Sequence, residues 1–388
     1  KKQLKNEMTN KRAEYKRLGD YIEQVNLRNT DLRVNYLVGL TINKKFISSV
    51  ANIIGTDLSN YKLIKKNQFA CSLMQVSRDG KIPIAIFEDK IGIMSPAYPI
   101  FKIIDEKTLM PEYLMMWFER DEFDREAAYY AVGGVRGTLT WEDFCDLELP
   151  VPPITEQHKI VAEYQTIENK IKVNQQICEK LEASAQAIYK EWFVEKLDTN
   201  FEKTQIKDFG LIVTGKTPSS KRPDDFGNDM PFITPGDFVD YNKFALTAER
   251  GLSKVGYTNL KNKILPSGSV IVTCIGSDMG KVVIATQDCI TNQQMNSIVV
   301  NQSYFTDYLY HHLQSISGEI KSIAMGGSTM PMLSKSNFMK IKILKPNKNI
   351  LMDFENTLKP INKSIILHSN QNQKLTELKS LLLARMVK

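Results

Sequence analysis

The sequence contains two copies of one module, and this internal repeat constrains the fold more than any other feature. Residues 80–85 (GKIPIA) are matched by residues 280–285 (GKVVIA), and residues 144–149 are matched by residues 338–343. Further matches lie between these in the same order, and the interval between copies falls from 200 to about 194 residues. Chance matches would scatter, so the 388 residues are predicted to be one module used twice.

Each copy begins with a globular part in which apolar runs bounded by turn residues predict short strands and short helices. The predicted strands are residues 82–87, 98–103, 269–275 and 281–285, and the predicted helices are residues 111–118 and 306–313. These elements do not alternate regularly, which argues against a doubly wound parallel sheet. The predicted fold class is α+β, with two similar mixed α/β modules.

Each globular part is followed by a long amphipathic helix. From residue 154, and again from residue 347, apolar or small side chains recur at alternating intervals of four and three, which is the heptad pattern of a coiled coil. A helix of about 38 residues spans about 57 Å, too long for the interior of a small module. Since a lone helix of this kind is marginal in water, the two are predicted to pack together, antiparallel, with the modules in a pseudo-twofold relation.

The apolar seams of these helices define the predicted contacts. Packing is assigned to Ile160, Tyr164, Ile167, Ile171, Leu181, Ile188, Phe354, Leu358, Ile361, Ile365 and Leu375. Thr155 is the predicted N-cap of the first helix. Asn174 and His368 are polar residues in the seams, interpreted as a layer that sets the register, with a ligand site as the alternative. The polar residues 369–374 shift the phase of the second seam.

Composition narrows the class of protein. The formal net charge is +7, with 51 Lys and Arg residues against 44 Asp and Glu, which is compatible with a polyanionic partner. No apolar run reaches the roughly 18 residues of a membrane span. The five cysteines form no CxxC pair and accompany no histidine cluster, which argues against a disulfide framework and structural zinc. We therefore expect a soluble protein of the reducing cytoplasm, without membrane association.

One segment imitates a nucleotide-binding loop. Residues 210–217 match GxxxxGK[ST], a pattern that in a P-loop places Lys216 and Thr217 at the start of a long helix. Pro218 and Pro223 follow instead, and no apolar periodicity predicts such a helix. A P-loop nucleotide-binding enzyme acting on DNA is therefore kept as an alternative function.

A second segment imitates a metal-dependent nuclease. Asp79 together with Glu88, Asp89 and Lys90 supplies the residue types of such a centre. A continuous strand between Asp79 and Glu88 would hold the two carboxylates about 30 Å apart, which is too far to share a metal ion. A nuclease is the other form of the enzyme alternative, while the preferred interpretation has no catalytic residue and no metal site.

The most specific motif lies where the first module meets its helix. The sequence reads LELPVPPITEQHKIV over residues 147–161, and Trp192 with Phe193 closes the helix. This pattern resembles the central conserved region of the specificity subunits of type I restriction-modification systems. Further segments similar to that family are residues 55–61, 95–98, 215–218, 232–237, 251–253, 265–268, 280–281 and 291–294. The resemblance covers nearly the whole chain after about residue 16, and it departs most in the final helix.

The resemblance implies a non-catalytic chain that gives a larger complex its sequence specificity. Such proteins carry two target-recognition domains, each reading one half of a split site in double-stranded DNA, and they recruit two methyltransferase subunits and the restriction subunits. S-adenosylmethionine, ATP and Mg²⁺ are expected on those partners, and no cofactor is expected on this chain. A coiled-coil adaptor without DNA readout is a further alternative.

The repeat and the resemblance together divide the chain into five segments. They are an N-terminal basic segment (1–17), a first target-recognition domain (18–153), a central spacer helix (154–195), a second target-recognition domain (196–346) and a C-terminal spacer helix (347–388).

DNA contacts are expected from cations on phosphates and from a few side chains at base edges. The candidates are Arg28, Lys44, Lys45, Arg78, Lys81 and Arg136 in the first domain, and Lys221, Arg222, Lys281, Gln293 and Gln294 in the second. Arg136 lies in a glycine-rich loop, and glutamine can pair with adenine through two hydrogen bonds. For each single candidate, a solvated surface role is the alternative.

Overall fold

The chain folds into two compact units, each with one globular module and part of both long helices. The computed structural model describes residues 15–49, 55–74, 76–132, 138–195, 201–239, 243–276, 278–325 and 332–387. Unit 1 comprises Lys1–Asn169 with Leu375–Lys388, and unit 2 comprises Lys170–Lys374.

Two α-helices are far longer than the others among the described residues. The helices are α1 (Val76–Asp79), α2 (Pro111–Phe118), α3 (Asp121–Val132), α4 (Trp141–Asp146), α5 (Ile154–Lys190), α6 (Lys254–Asn259), α7 (Thr306–Ser315), α8 (Ser317–Met325), α9 (Lys335–Met339) and α10 (Lys348–Arg385). α5 continues into a π-helical turn, Glu191–Glu195. The heptad seams thus predicted α5 and α10, and α2 has the predicted bounds because a proline favours the first helical position.

The strands are short and fall into two groups along the chain. Unit 1 contains β1 (Tyr15–Arg17), β2 (Ile22–Val25), β3 (Val38–Leu40), β4 (Phe46–Ser48), β5 (Lys62–Lys65), β6 (Phe69–Cys71), β7 (Ile84–Ile86), β8 (Ile91–Met94), β9 (Ile100–Ile103) and β10 (Glu148–Pro150). Unit 2 contains β11 (Glu202–Gln205), β12 (Gly210–Thr214), β13 (Phe226–Ile233), β14 (Phe244–Ala245), β15 (Arg250–Leu252), β16 (Val270–Thr273), β17 (Val282–Ala285), β18 (Ile290–Thr291), β19 (Met295–Val300) and β20 (Lys342–Lys345).

Unit 1 is built around a four-stranded antiparallel sheet in the order β2-β9-β6-β7. Phe69 in β6 and Phe101 in β9 are buried and stack with their ring centroids 5.2 Å apart. Phe118 at the end of α2 meets both rings edge-on. Aromatic contacts of this kind add stability beyond the area they bury, so they fix α2 on the sheet.

Unit 2 is built around a five-stranded sheet in the order β12-β19-β16-β17-β14, antiparallel except for the β14–β17 pair. The order β12-β19-β16-β17 repeats the order β2-β9-β6-β7 of unit 1, and β7 and β17 lie in matching segments of the sequence repeat. β16 and β17 are buried along their whole length, which explains their unbroken apolar sequences. A smaller sheet, β15-β13-β18, forms a lobe with α6.

The two long helices pack against each other in opposite directions within each unit. In unit 1, Lys379 of α10 lies 2.7 Å from Glu168 of α5 and 4.7 Å from the ring centroid of Tyr164. In unit 2, Tyr189 near the end of α5 meets Phe354 near the start of α10. All eleven predicted packing side chains are buried or half-buried. The predicted α+β class with paired long helices is confirmed.

One detail of the helices differs from the sequence prediction. α5 begins at Ile154, so Thr155 is inside the first turn and the prediction of an N-cap there is wrong. The carbonyl of Pro153 accepts the backbone N–H groups of Glu156 and Gln157 at 2.8 and 3.1 Å. Residues 369–374, where the seam is predicted to shift its phase, lie within α10, which runs through them without a break.

The polar layer of the seams is a closed hydrogen-bond network in unit 2. Asn174 is fully buried and donates to Asn372 Oδ1 at 2.8 Å and to Gln371 Oε1 at 3.3 Å. Its Oδ1 lies 3.2 Å from His368 Nδ1, and Asn372 donates in turn to the carbonyl of Ile171. Because the partners come from both helices, the network supports the register-setting interpretation.

Candidate nucleic-acid interface

In unit 2, three loops leave the same end of the five-stranded sheet. β12 ends at Thr214 opposite Asn296, and β16 ends at Thr273 opposite Met295, so the connections beyond these positions meet. We call residues 215–222, 274–276, 278–281 and 292–294 the second loop cluster.

Backbone contacts hold the second loop cluster together. Lys216 N donates to Thr291 O at 2.9 Å, and Cys274 N donates to Gln294 O at 2.8 Å. Gly215 passes so close to the neighbouring loop that a Cβ there would lie 2.1 Å from Asn292 O. Only glycine allows this approach, which brings residues 215–222 against residues 292–294.

All five candidates of the second domain lie in the second loop cluster. Lys221, Arg222 and Gln293 are exposed, and Gln293 Oε1 accepts a hydrogen bond from Thr217 Oγ1 at 2.5 Å. Lys281 is exposed and pairs with Asp278 at 2.8 Å. Gln294 is half-buried, and its Oε1 accepts from the side chain of Asn292 at 3.0 Å. The cations therefore face solvent, while the amides are held in place.

Unit 1 has an equivalent group of loops. β2 ends at Val25 opposite Ile100, and β6 ends at Cys71 opposite Ile84. We call residues 26–28, 72–74, 76–83 and 95–99 the first loop cluster. Cys71 N donates to Pro99 O at 3.1 Å, so two of these loops meet at the sheet end.

Three candidates of the first domain lie in the first loop cluster. Arg28 is exposed and its Nη1 donates to Asn60 O at 2.5 Å. Arg78 is also exposed, and its Nε lies 2.7 Å from Asp79, whose carboxylate raises the pKa of Arg78. Conversely, the guanidinium holds the pKa of Asp79 below its usual range. Lys81 is exposed on the same loop.

The remaining three candidates lie elsewhere. Lys44 is on the turn between β3 and β4, and its ammonium is buried against Asp124 of α3 at 2.8 Å. Burial lowers the pKa of Lys44, and the carboxylate of Asp124 opposes that shift. Because this ammonium is committed to a buried ion pair, we leave Lys44 out of the proposed contact set. Lys45 beside it is exposed, and Arg136 lies outside the described residues.

Two cations in or beside the loop clusters were missed by the sequence prediction. Lys216 is exposed in the second loop cluster, although its sequence context suggested only a P-loop role. Lys62 of β5 donates to Tyr98 O at 2.8 Å, and burial together with Arg28 lowers the pKa of Lys62. No local sequence pattern marks Lys62 as a candidate, because it reaches the first loop cluster only when the strands pair.

Comparison with known proteins identifies the chain. Residues 199–377 match the family model described as the type I restriction modification DNA specificity domain. The type I restriction enzyme HindI specificity subunit of Haemophilus influenzae is 24% identical over 432 aligned positions, covering 90% of this chain and 92% of that protein. Residues 199–377 belong to this family of DNA specificity domains, and the chain is similar to a type I specificity subunit over 90% of its length. As a specificity subunit it is the non-catalytic DNA-specificity component of such a system, and the cofactors reside on the methyltransferase and restriction subunits.

Two further proteins are similar to this chain, one in part of its sequence and the other in its fold. The type I restriction enzyme MjaIX specificity subunit of Methanocaldococcus jannaschii is 30% identical over 162 residues, covering 41% of this chain and 37% of that protein. The solved type I restriction-modification S subunit from M. genitalium shares the fold, with a TM-score of 0.55 at 12% identity, over 98% of this chain and 97% of that one.

The geometry of residues 215–222 does not fit the P-loop alternative. Residues 215–222 follow β12 without any helix, so Lys216 and Thr217 do not lie at a helix N-terminus and form no P-loop. Within the described stretches, no group of three or more His, Cys, Asp and Glu side chains could hold a metal ion, Asp79 and Glu88 included. No helix of the described chain is long and apolar enough to cross a membrane.

Proposed function

We propose that this specificity subunit reads a split site in double-stranded DNA, one half with each loop cluster. The observation that carries the proposal is the repeated placement of exposed cations on loops at the same end of two sheets with one strand order, joined in unit 2 by the held amides of Gln293 and Gln294. Cations on mobile side chains suit phosphate contacts, whereas held amides such as Gln294 suit base edges.

The proposal assigns a role to each segment of the chain. Residues 18–153 and 196–346 act as the two target-recognition domains, and residues 154–195 and 347–388 act as the spacer helices. The N-terminal residues 1–17 are basic, and we assign them no role in recognising the DNA sequence. A spacer of fixed length would set the number of unread base pairs between the half-sites.

Partner subunits would supply the chemistry. We propose that two methyltransferase subunits and the restriction subunits assemble with this chain on DNA, carrying S-adenosylmethionine, ATP and Mg²⁺. The complex would work in the cytoplasm, in keeping with five cysteines that are all free and buried.

Mapping methylated adenines tests this proposal. The chain would be expressed with its methyltransferase subunits in cells that lack other methylases, and genomic methylation would be read by single-molecule sequencing. A motif of two short specific blocks around a fixed unspecified spacer is expected. Assembly of the subunits without any motif would contradict the proposal and favour the adaptor alternative.

A matched pair of variants tests the role of the second loop cluster. Lys221→Gln removes an exposed cation of the cluster, and Lys207→Gln removes an exposed cation from the turn before β12, at the opposite end of the sheet. Only Lys221→Gln should weaken binding to DNA. Equal effects from both variants would show that the charge, and not its position, matters.

A further inference from the structure

The lobe on β15-β13-β18 carries an arginine whose surroundings distinguish it from the other cations of unit 2. A small core of buried side chains, Phe232, Leu252, Leu260 and Ile290, holds the lobe together. Arg250 opens the edge strand β15 and lies opposite Phe232 in the register of β13 and β15. It is exposed at the margin of this core.

Two aromatic rings support the guanidinium of Arg250. Its Cζ lies 4.7 Å from the ring centroid of Phe226 and 5.7 Å from that of Phe232. Contact with a ring face restricts the side chain without using its N–H groups, because the attraction acts through the ring face and not through a hydrogen-bond acceptor. The planar fork of donors is therefore oriented in advance for a flat acceptor.

No carboxylate of the described residues lies within ion-pair distance of Arg250. Lys281 of the second loop cluster is paired with Asp278, and Arg78 of the first is paired with Asp79. Arg250 differs from both, since it is held by rings and its donors are left for a partner outside the chain.

Strand order places Arg250 beside the second loop cluster. β15, β13 and β18 are neighbours in that order, and Arg250, Phe232 and Ile290 lie in register across them. Two strand spacings separate Arg250 from Ile290 by about 10 Å. Gln293 follows Ile290 by three residues, at most about 10 Å further along the chain. Arg250 and Gln293 therefore lie at most about 20 Å apart, the length of about six base pairs of B-DNA at 3.4 Å each. One half-site can therefore meet both residues.

We infer that Arg250 is a specificity-determining residue of the second half-site, with its guanidinium, held on Phe226 and Phe232, pairing through two hydrogen bonds with the O6 and N7 acceptors of a guanine. This inference rests on the proposed function. Guanine suits the geometry because it presents two acceptors side by side in the major groove, which match the arginine fork.

The test uses the complex with the methyltransferase subunits and compares Arg250→Lys, Arg250→Met and Lys261→Gln. Arg250→Lys keeps the charge and removes the fork, and Arg250→Met keeps the apolar stem over the rings. Lys261→Gln removes an exposed cation of the same lobe, after α6, and is the control. Methylation of a DNA library randomised over the recognised motif is measured by sequencing.

Both Arg250 variants should lose about tenfold discrimination for guanine at one position of the second half-site. The first half-site should be unchanged, and Lys261→Gln should retain the full motif. Uniform loss of methylation at all positions, or an unchanged motif in Arg250→Lys and Arg250→Met, would overturn the inference. The absence of any split motif for the unaltered chain would instead contradict the proposed function, so the two failures are distinguishable.

Discussion

Tyr113 and Tyr308 make the same hydrogen bond in the two units. The hydroxyl of Tyr113 donates to Pro150 O at 3.1 Å, and that of Tyr308 donates to Leu344 O at 2.6 Å. Each acceptor lies four residues before the first residue of a long helix, since α5 begins at residue 154 and α10 at residue 348. The repeat thus extends to the bond that ties a recognition module to its spacer helix.

Replacing either tyrosine by phenylalanine should destabilise its unit. Both rings are buried, and burial raises the pKa of both phenols, so the hydroxyls stay protonated donors. Tyr113→Phe and Tyr308→Phe leave a carbonyl without its donor, at a cost of about 1–3 kcal/mol in the free energy of unfolding. Urea unfolding of each variant measures this change in the free energy of unfolding. Tyr129→Phe, at a ring that is 78% exposed, is the control, and an equal effect there would contradict this role.

Lys44 provides a prediction about folding and not about DNA. Lys44→Met leaves Asp124 buried without its cation, which should cost about 3–5 kcal/mol in the free energy of unfolding. Lys45→Met, at the exposed neighbour, should change it by less than about 0.5 kcal/mol. Thermal and urea unfolding of the two variants check this difference. If Lys44→Met were as stable as Lys45→Met, the buried ion pair would have no structural role.

The polar layer predicts coupling between Asn174 and Asn372. Asn174→Leu should destabilise the helix pair by about 1–3 kcal/mol, because Asn372 and His368 lose a buried partner. Asn174→Leu combined with Asn372→Leu should recover much of that loss, with a coupling energy of about 0.5–3 kcal/mol in a double-mutant cycle. Additive losses would mean that the two side chains do not act together.

Salt dependence separates phosphate contacts from other roles. Log K falls as log salt rises. If Lys221 contacts a phosphate, the magnitude of this negative slope should be smaller by about 0.9 in Lys221→Gln. Fluorescence anisotropy with a duplex of the methylated motif, measured over a series of salt concentrations, gives that slope for the assembled complex. Lys207→Gln should leave it unchanged. A slope unaltered by Lys221→Gln would remove this lysine from the contact set.

The sequence predicted the elements that depend on local pattern. Heptad spacing defined α5 and α10, and a proline at the first helical position marked the start of α2. Apolar runs located the strands near residues 82–87 and 281–285, although both strands are shorter than predicted, and β7 begins only after Pro83, which has no backbone N–H for strand pairing. These features arise from periodicity, which a single sequence contains.

The remaining features depend on partners that are distant in the sequence. Lys44 is paired with a carboxylate 80 residues away, so its burial could not be distinguished from exposure on a turn. The aromatic support of Arg250 is formed only when β13 and β15 pair. The loop clusters likewise require the strand order, which no local pattern supplies, and this explains why Lys62 and Lys216 were missed.

Exchange of one recognition module tests the central claim most directly. Residues 18–153 would be replaced by the corresponding module of another specificity subunit with a known target, and methylated adenines would be mapped in cells expressing the chimera with the methyltransferase subunits. We predict that one half of the methylated motif changes to that of the donor, while the other half and the spacer stay the same. A motif unchanged in both halves would contradict the claim that each module reads one half-site.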